Sequence, residues 1–172
     1  MLLDRGHSVT VIDRFFFGRN LLSDALNLKI YEADIRTFDE KLLQGMDAVI
    51  DLAALSNDPC GELNPEWTWQ INCSGRVRVA RLAKKNGVKR YIFPSSCSVY
   101  GFQEGILTEE NKTNPLTTYA KANFQAEEEI LPLNDSNFTV TVIRQATVYG
   151  LSGRMRFDLA INGMAKGFFI NG

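Results

Sequence analysis

Short apolar runs alternate with longer helical patterns along the chain. Continuous runs of β-branched and apolar residues predict five strands, at 8–13, 28–33, 48–53, 90–95 and 139–144. Strands that alternate with helices are typical of βαβ units. The pattern therefore predicts an α/β fold: a Rossmann-like, doubly wound parallel sheet in three αβα layers. Because the runs are continuous, we expect these strands to be buried on both faces.

Two helices have clear boundaries in the sequence. Asn64-Pro65-Glu66 combines an N-cap, a proline at the first helical position and an acidic first turn, so a helix begins there and extends to about residue 84. A second helix is predicted from about 117 to 131. The apolar residues of 167–172 predict the beginning of a further strand.

The two ends predict an interior piece of a longer protein. Residues 1–6 have the pattern of a last helical turn capped by Gly6, which leads directly into the first strand. We therefore expect residues 1–172 to form one partial dinucleotide-binding domain that lacks the first strand.

Composition narrows the class of protein. With 172 residues and 45% hydrophobic content, the chain can bury a sizeable core. Its 19 basic and 20 acidic residues leave a net charge of −1, which favours neither nucleic acid nor an anionic membrane as partner. Three cysteines without CxxC spacing and a single histidine predict reduced thiols and no metal site. We expect a cytoplasmic protein without a membrane span.

Candidate cofactor residues follow three predicted strands. Asp13 ends the first strand, where dinucleotide-binding folds place a carboxylate that accepts hydrogen bonds from the adenosine ribose, although an aspartate there can also be an ordinary turn residue. An acid at this point favours NAD over NADP. After the second strand, Asp34 can meet the adenine amino group while Ile35 packs on the ring. The third strand ends in a stretch that allows close backbone approach to a cofactor: Leu52, Ala53 and Ala54.

Tyr119 is the candidate acid/base. A tyrosine titrates near pH 10, so action as a base near neutrality needs a shift of roughly three pKa units. A lysine four residues later would lie on the same helix face and supply much of that shift, but this position holds Asn123. Lys121 lies roughly 200° around the helix and points away. The alternative for Tyr119 alone is an ordinary packed aromatic.

Three motifs in order strengthen the functional interpretation. They are Phe93-Pro94-Ser95-Ser96-Cys97-Ser98-Val99-Tyr100-Gly101, Asn114-Pro115-Leu116-Thr117-Thr118-Tyr119 and Val142-Ile143-Arg144-Gln145-Ala146-Thr147-Val148-Tyr149-Gly150. In this order and spacing the chain resembles the extended short-chain dehydrogenase/reductases, specifically the NAD-dependent epimerase/dehydratase family that acts on nucleotide sugars. The resemblance covers essentially the whole chain. It implies that the missing first strand would be central, so that two strand edges are exposed, and that most of a C-terminal substrate lobe is also absent.

The resemblance implies roles for the candidate residues. Ser96 would hydrogen-bond the reacting sugar oxygen, and Tyr119 would exchange its proton. A hydride would pass between the sugar carbon and the nicotinamide of NAD. The adenosine positions of the family fall on Asp13, Asp34 and Ile35, and the loop beside the pyrophosphate and nicotinamide ribose falls on Ala53 and Ala54.

Subfamily features favour epimerase or reductase chemistry. Dehydratases of the family tend to carry an Asp-Glu pair after the catalytic serine or threonine, where this chain has Cys97 and Ser98. Thr147 occupies a substrate-contact position at which many relatives have asparagine. Arg154 and Arg156 could bind the substrate diphosphate, because arginine favours such oxygens, or could be solvated residues at a helix start.

Two departures from the family pattern leave two hypotheses open. The glycine-rich GxxGxxG turn is absent, and Asn123 replaces the lysine. The chain is either an inactive or impaired piece of a nucleotide-sugar epimerase, or a non-catalytic relative that binds a nucleotide or a partner protein. Restoring lysine at position 123 is expected to raise turnover. Relatives commonly dimerise through the helices predicted here at 64–84 and 117–131, so a homodimer is expected.

Overall fold

The structure is a computed structural model that describes residues 1–20, 22, 24–56 and 58–171. Five strands lie in chain order: β1 Val9–Asp13, β2 Leu28–Glu32, β3 Ala48–Ile50, β4 Arg90–Ser96 and β5 Thr139–Gln145. Five α-helices accompany them: α1 Asp58–Leu63, α2 Pro65–Trp69, α3 Arg76–Lys85, α4 Thr118–Ile130 and α5 Ala160–Asn171. A π-helix, Gln70–Gly75, joins α2 to α3, and short 3₁₀-helices cover Leu3–Arg5, Glu40–Leu43, Cys97–Tyr100 and Leu131–Leu133.

The strands form two parallel sheets rather than one. β1 pairs with β2, with Val9 opposite Leu28. β4 lies between β3 and β5, and its Arg90 is opposite both Ala48 and Thr139. Among the described strands, no ladder joins β1 to β3. The predicted α/β fold with parallel strands and flanking helices is confirmed.

Burial differs sharply between the strands. In β4, Tyr91 and Phe93 are fully buried, because this strand has a neighbour on each edge and packs against α4. β1 and β2 contain no buried position at all. β3 and β5, the edge strands of the other sheet, contain none either. The expectation that every strand is buried on both faces is therefore wrong, because every described strand except β4 lies at the edge of its sheet and stays partly open to solvent.

The main core lies between the three-stranded sheet and two helices. Small residues on α3 and α4 bring these helices close together and let the aromatic residues of β4 pack beneath them. Its fully buried members include Ala80, Ala83, Tyr91, Phe93, Ala122, Ala126 and Ile130. This core fixes α4, the helix that carries Tyr119, against the carboxyl end of β4.

Most predicted helix boundaries agree with the structure. Asn64 caps α2 by accepting a hydrogen bond from the Trp67 amide, and Thr117 caps α4 in the same way. Gly6 ends the first 3₁₀-helix with a φ of 81°, as the N-terminal pattern predicted. The strand predicted at 167–172 is wrong, because residues 167–171 continue α5 and residue 172 lies outside the described part. A short apolar run alone does not distinguish a strand from a helix end.

Candidate functional site

Ser96 lies at the carboxyl end of β4, and Tyr119 lies on α4, the helix that packs against β4 and the 3₁₀-helix after it. Ser96 ends β4 and caps the following 3₁₀-helix, with its Oγ accepting from the Ser98 amide at 3.2 Å and lying 2.7 Å from the Ser98 Oγ. Tyr119 is in the first turn of α4 and is half-buried. Its hydroxyl makes no hydrogen bond with another described residue. The hydroxyl is therefore available to a bound molecule.

Two carboxylates from α1 hold the first turn of α4. Asp58 accepts a hydrogen bond from the Thr117 hydroxyl. Glu62 accepts hydrogen bonds from the Thr118 amide at 2.7 Å and from the Thr118 hydroxyl at 3.1 Å. The hydrogen bond from the amide is the main reason that the pKa of Glu62 lies below its usual range. Negative charge at a helix N-terminus also interacts favourably with the helix dipole. These contacts fix the backbone that positions Tyr119.

Gly61 brings α1 into direct contact with Tyr119. A Cβ at Gly61 would lie 3.0 Å from the Tyr119 Cβ, tighter than most real Cβ contacts, so one of the two helices would have to shift. The buried Thr68 hydroxyl donates to the Gly61 carbonyl at 2.8 Å and so holds α1 in this position. The absence of a side chain at Gly61 therefore allows α1 to pack against Tyr119.

A buried ion pair ties α4 to the ends of β4 and β5. Glu127 is 1% exposed, and its carboxylate pairs with Arg144 at 2.7 Å and accepts from the Ser95 hydroxyl. Arg144 also donates to the Tyr100 hydroxyl at 3.0 Å. The hydrogen bonds to Glu127 raise the pKa of Arg144, so it stays charged. Because Ser95 precedes Ser96, this pair fixes the serine relative to the tyrosine helix.

Asn123 is fully buried, and its side-chain amide is used within the protein. Its Nδ2 donates to the Tyr119 carbonyl at 2.9 Å, and its Oδ1 accepts from Arg76 Nη1. Arg76 is 3% exposed, donates through Nε to the Ala53 carbonyl at 3.0 Å, and stacks 4.8 Å from the centre of the Phe93 ring. Sequence analysis missed Arg76, since an arginine on an amphipathic helix is usually solvated.

A buried acid lies on the other side of this arginine. Asp51 is 5% exposed, and its carboxyl accepts from the Tyr91 hydroxyl at 2.5 Å. Burial raises the pKa of Asp51, although the positive charge of Arg76 partly opposes this effect. Burial and the neighbouring Asp51 also raise the pKa of Tyr91 well above 10. Asp51, Tyr91 and Arg76 are therefore all shielded from water, next to the three-stranded sheet.

The loop after β3 is held from both ends. Asn72, in the π-helix, accepts from the Leu55 amide at 2.8 Å and donates to the Leu55 carbonyl at 2.9 Å. Asp51 accepts from the Ala53 amide at 3.3 Å. Ala54 lies between these anchors, whereas the Leu52 side chain is 72% exposed. The predicted cofactor loop is thus fixed by polar contacts that the sequence did not indicate.

The residues predicted to bind adenosine lie at or just after the carboxyl ends of β1 and β2, the strands of the two-stranded sheet. Asp13 ends β1, and its Oδ1 accepts from the Phe15 amide, the ordinary turn contact that was the alternative. Asp34 pairs with Arg36 and Arg14, both at 2.6 Å, and the Arg36 hydrogen bonds hold its pKa well below its usual range. The carboxylate therefore remains ionised.

Ile35 packs towards the α3 side of the molecule. A Cβ at Gly75 would lie 2.8 Å from the Ile35 Cδ1, so the isoleucine contacts the end of the π-helix. The carbonyl of Ile35 accepts from Arg78 at 3.0 Å. Ile35 is therefore partly buried against the protein core.

The two candidate diphosphate arginines have different surroundings. Arg156 is half-buried, donates to the Ser56 hydroxyl at 2.8 Å and pairs with Asp158, which raises its pKa, with a smaller contribution from Tyr119. Arg154 stacks over the Phe17 ring, 3.4 Å from its centre. Arg156 is therefore coupled electrostatically to Tyr119.

Thr147 follows the carboxyl end of β5 and is exposed. Each predicted strand-end residue thus lies at a strand's carboxyl end, as α/β folds require of their ligand sites.

A profile of the NAD dependent epimerase/dehydratase family matches residues 1–168. The chain belongs to this family. The predicted family is confirmed, and NAD is the cofactor by which this family is named.

Relatives agree with this assignment. An N-acetyl-α-D-glucosaminyl-diphospho-ditrans,octacis-undecaprenol 4-epimerase from Escherichia coli O157:H7 is 30% identical over 76% of the chain and 40% of its own length. The structure resembles the UDP-N-acetylglucosamine 4-epimerase from Methanobrevibacter ruminantium M1 in complex with UDP-N-acetylmuramic acid, with a TM-score of 0.75, 30% identity, and coverage of 80% and 46% of the two chains. The chain thus spans less than half the length of these relatives.

A further solved structure extends the similarity across almost the whole chain. MoeE5 in complex with UDP-glucuronic acid and NAD matches with a TM-score of 0.80 and 26% identity, over 96% of this chain and 55% of its own. In the described part of the chain, no helix is long and apolar enough to cross a membrane. The same residues contain no group of three acidic, histidine or cysteine side chains able to hold a metal ion.

Proposed function

We propose that this chain is the NAD-binding part of a nucleotide-sugar epimerase, with Tyr119 as the acid/base and Ser96 as the hydroxyl that orients the sugar. The observation that carries the proposal is the half-buried Tyr119 hydroxyl, which has no hydrogen bond to a described residue. It projects from a helix turn that α1 fixes, beside the end of the strand that carries Ser96. The family and the 4-epimerase relatives support the same assignment.

The residues fit NAD in chemistry. The carboxyl groups at the end of β1 and just after β2, Asp13 and Asp34, would hold the adenosine half, with Ile35 beside the adenine. The backbone of 52–54 would approach the pyrophosphate and nicotinamide ribose, because small side chains at Ala53 and Ala54 leave room. Bound NAD would supply reversible hydride exchange with the sugar carbon.

The chain's own residues would handle the proton. Tyr119 would take the proton from the reacting sugar hydroxyl and return it, while Ser96 donates a hydrogen bond to the same oxygen. Arg156 adds positive charge near Tyr119 and lies on the loop that would face the substrate. Arg154 and Thr147, both exposed on the same side of the sheet, would contact the diphosphate and sugar.

A second function is favoured by one observation. The Asn123 amide is buried, neutral and bonded through both its oxygen and its nitrogen to other residues of the protein, so it adds no charge to Tyr119 and is directed away from a cofactor ribose. A non-catalytic relative that binds a nucleotide or a partner protein would have the same feature. We further propose a cytoplasmic homodimer through residues 64–84 and 117–131, where Trp67 is 56% and Trp69 is 38% exposed.

Thermal unfolding with and without NAD tests the cofactor site. A ligand that binds only the folded chain adds about 2.7 kcal/mol at 100 times its dissociation constant, which raises the midpoint by several degrees. We expect this shift in the parent chain and its loss in Asp13→Ala. An unshifted midpoint at millimolar NAD would refute the proposed site.

Turnover separates the two functions. With NAD and UDP-N-acetylglucosamine, a piece of an epimerase with impaired activity should form the 4-epimer slowly, and Tyr119→Phe, which should keep the NAD shift, should form none. NAD binding without any 4-epimer would contradict the assignment of Tyr119 as acid/base in this chain and would support the non-catalytic relative instead.

A further inference from the structure

Arg76 is the one strongly buried cation described between α3 and α4. Its guanidinium is 3% exposed, and its two hydrogen bonds go to neutral oxygens, the Ala53 carbonyl and Asn123 Oδ1. A buried guanidinium cannot lose its proton, so the positive charge remains in the protein interior. The charge therefore lies between the loop after β3 and the helix that carries Tyr119.

The orientation of the Asn123 amide follows from this contact. Arginine can only donate hydrogen bonds, so the amide oxygen must face Arg76 and the amide nitrogen must face the Tyr119 carbonyl. Asparagine is the short neutral acceptor that position 123 needs beside a guanidinium. A lysine at the same position would instead place an ammonium next to Arg76, with both charges buried.

We propose that Arg76 is a positioning residue for the reaction, which supplies from α3 the positive charge that other family members carry at position 123. Through Asn123 it holds the Tyr119 turn of α4, and through the Ala53 carbonyl it holds the loop that would face the nicotinamide ribose. The inference rests on the proposed function. It also reverses the expectation for Asn123→Lys, which would add a second cation rather than restore a missing one.

Neighbouring groups make this location suitable for a fixed charge. The Phe93 ring lies under the guanidinium, and the buried Asp51 carboxyl interacts with it electrostatically. Phe93 lies in β4, and Asp51 directly follows β3 and accepts from Tyr91 of β4. Arg76 is therefore held from below by the sheet and directs its donors towards the two segments of the proposed site.

A charge-relocation cycle tests the proposal. Four variants of the chain are compared with the parent: Arg76→Gln, which keeps a donor without the charge; Asn123→Lys; the double variant; and Lys85→Gln, an exposed cation on the same helix as control. The measurements are the thermal unfolding midpoint and the affinities for NAD and for AMP. AMP reports on the adenosine half alone, which Arg76 does not contact.

The proposal predicts a specific pattern. Asn123→Lys alone should lower the midpoint by about 5 °C or more, because two buried cations repel. Arg76→Gln should weaken NAD binding at least fivefold while AMP binding changes less than twofold. The double variant should recover both the midpoint lost in Asn123→Lys and the NAD affinity lost in Arg76→Gln, and Lys85→Gln should match the parent.

Other outcomes overturn it. Equal weakening of NAD and AMP in Arg76→Gln would assign Arg76 a general structural role only, and additive midpoints in the cycle would show that positions 76 and 123 do not exchange a charge. A parent chain that binds neither ligand contradicts the proposed function itself. In that case the unfolding midpoints of the variants still test whether positions 76 and 123 exchange a charge.

Discussion

The two sheets of this protein are stabilised by different contacts. In the three-stranded sheet, Tyr91 and Phe93 are fully buried under α3 and α4, and the polar groups among them are hydrogen-bonded. The two-stranded sheet has no buried strand residue, and its ion pair between Arg19 and Glu32 is more than half exposed at both side chains. Fully buried packing therefore fixes the end that carries Ser96 and Tyr119, whereas the adenosine end combines partly buried packing through Ile12, Ala33 and Ile35 with polar contacts near solvent.

The two regions meet through α3 and the π-helix. Arg78 donates to the carbonyls of Ile35 and Phe38 at 3.0 and 2.9 Å, and Arg36 donates to Gln70 at 2.9 Å. No strand pairing contributes among the described residues. One helix, α3, therefore positions both proposed halves of the site, through Arg76 on one face and Arg78 on another.

Loss of the buried ion pair should have the largest effect. Glu127→Ala leaves Arg144 and the Ser95 hydroxyl without their acceptor and should cost about 3–5 kcal/mol of unfolding free energy, measured in urea. Glu127→Gln keeps an acceptor and should cost less. A loss below about 1 kcal/mol for the alanine variant would mean that packing does not depend on this pair.

A side chain at Gly61 should have an intermediate effect. Gly61→Ala places a methyl group 3.0 Å from the Tyr119 Cβ, so overpacking should cost about 1–3 kcal/mol and displace the tyrosine. Turnover should fall by more than the loss of folded protein explains. Gly167→Ala is the matched control, because its added Cβ meets nothing within 4 Å and lies in a helix. A fully active Gly61→Ala would refute the contact's importance.

Acid should weaken the adenosine end through Asp34. The pKa of this carboxyl is depressed in the folded protein, so its contribution is present above the ordinary aspartate value near 4 and is lost as pH falls towards the folded-state value. Unfolding free energies measured between pH 5 and 2 should fall less steeply for Asp34→Asn than for the parent. Parallel curves would exclude Asp34 as a contributor.

The smallest effect is expected at the exposed pair of the two-stranded sheet. Glu32→Gln should change the unfolding free energy by about 0–1 kcal/mol, because solvent screens Arg19 and Glu32. A loss as large as that of Glu127→Ala would show that the proposed difference between the two sheets is wrong.

Local sequence patterns predicted where strands and helices lie better than they predicted whether those elements are buried. All five strands, the cap at Asn64 and the start of the second helix near residue 117 could be found because apolar runs and capping residues act over a few positions. The exposure of β1 and β2 depends on which strands pair, and the helical end at 167–171 depends on the turns before it. Neither is encoded in a short window.

The candidate site divides in the same way. Strand-end positions such as Asp13 and Asp34 could be predicted because parallel strands all point their carboxyl ends to one edge. Arg76 could not, since its partner Asn123 lies 47 positions away and its burial is set by the crossing of two helices. The same holds for Asn72, whose contacts with Leu55 span 17 positions.

The π-helix Gln70–Gly75 takes up one more residue per turn than an α-helix and so acts as a one-residue insertion between α2 and α3. Deleting one residue there would let α2 and α3 join as a regular α-helix with the outward faces of both largely kept, but it would remove the wide turn that carries Asn72. Asn72 would then lose its paired contacts with the amide and the carbonyl of Leu55, and the loop after β3 would lose that anchor. The segment should therefore be sensitive both to a change in its length and to larger side chains at Gly75, where an added Cβ would lie 2.8 Å from Ile35 Cδ1.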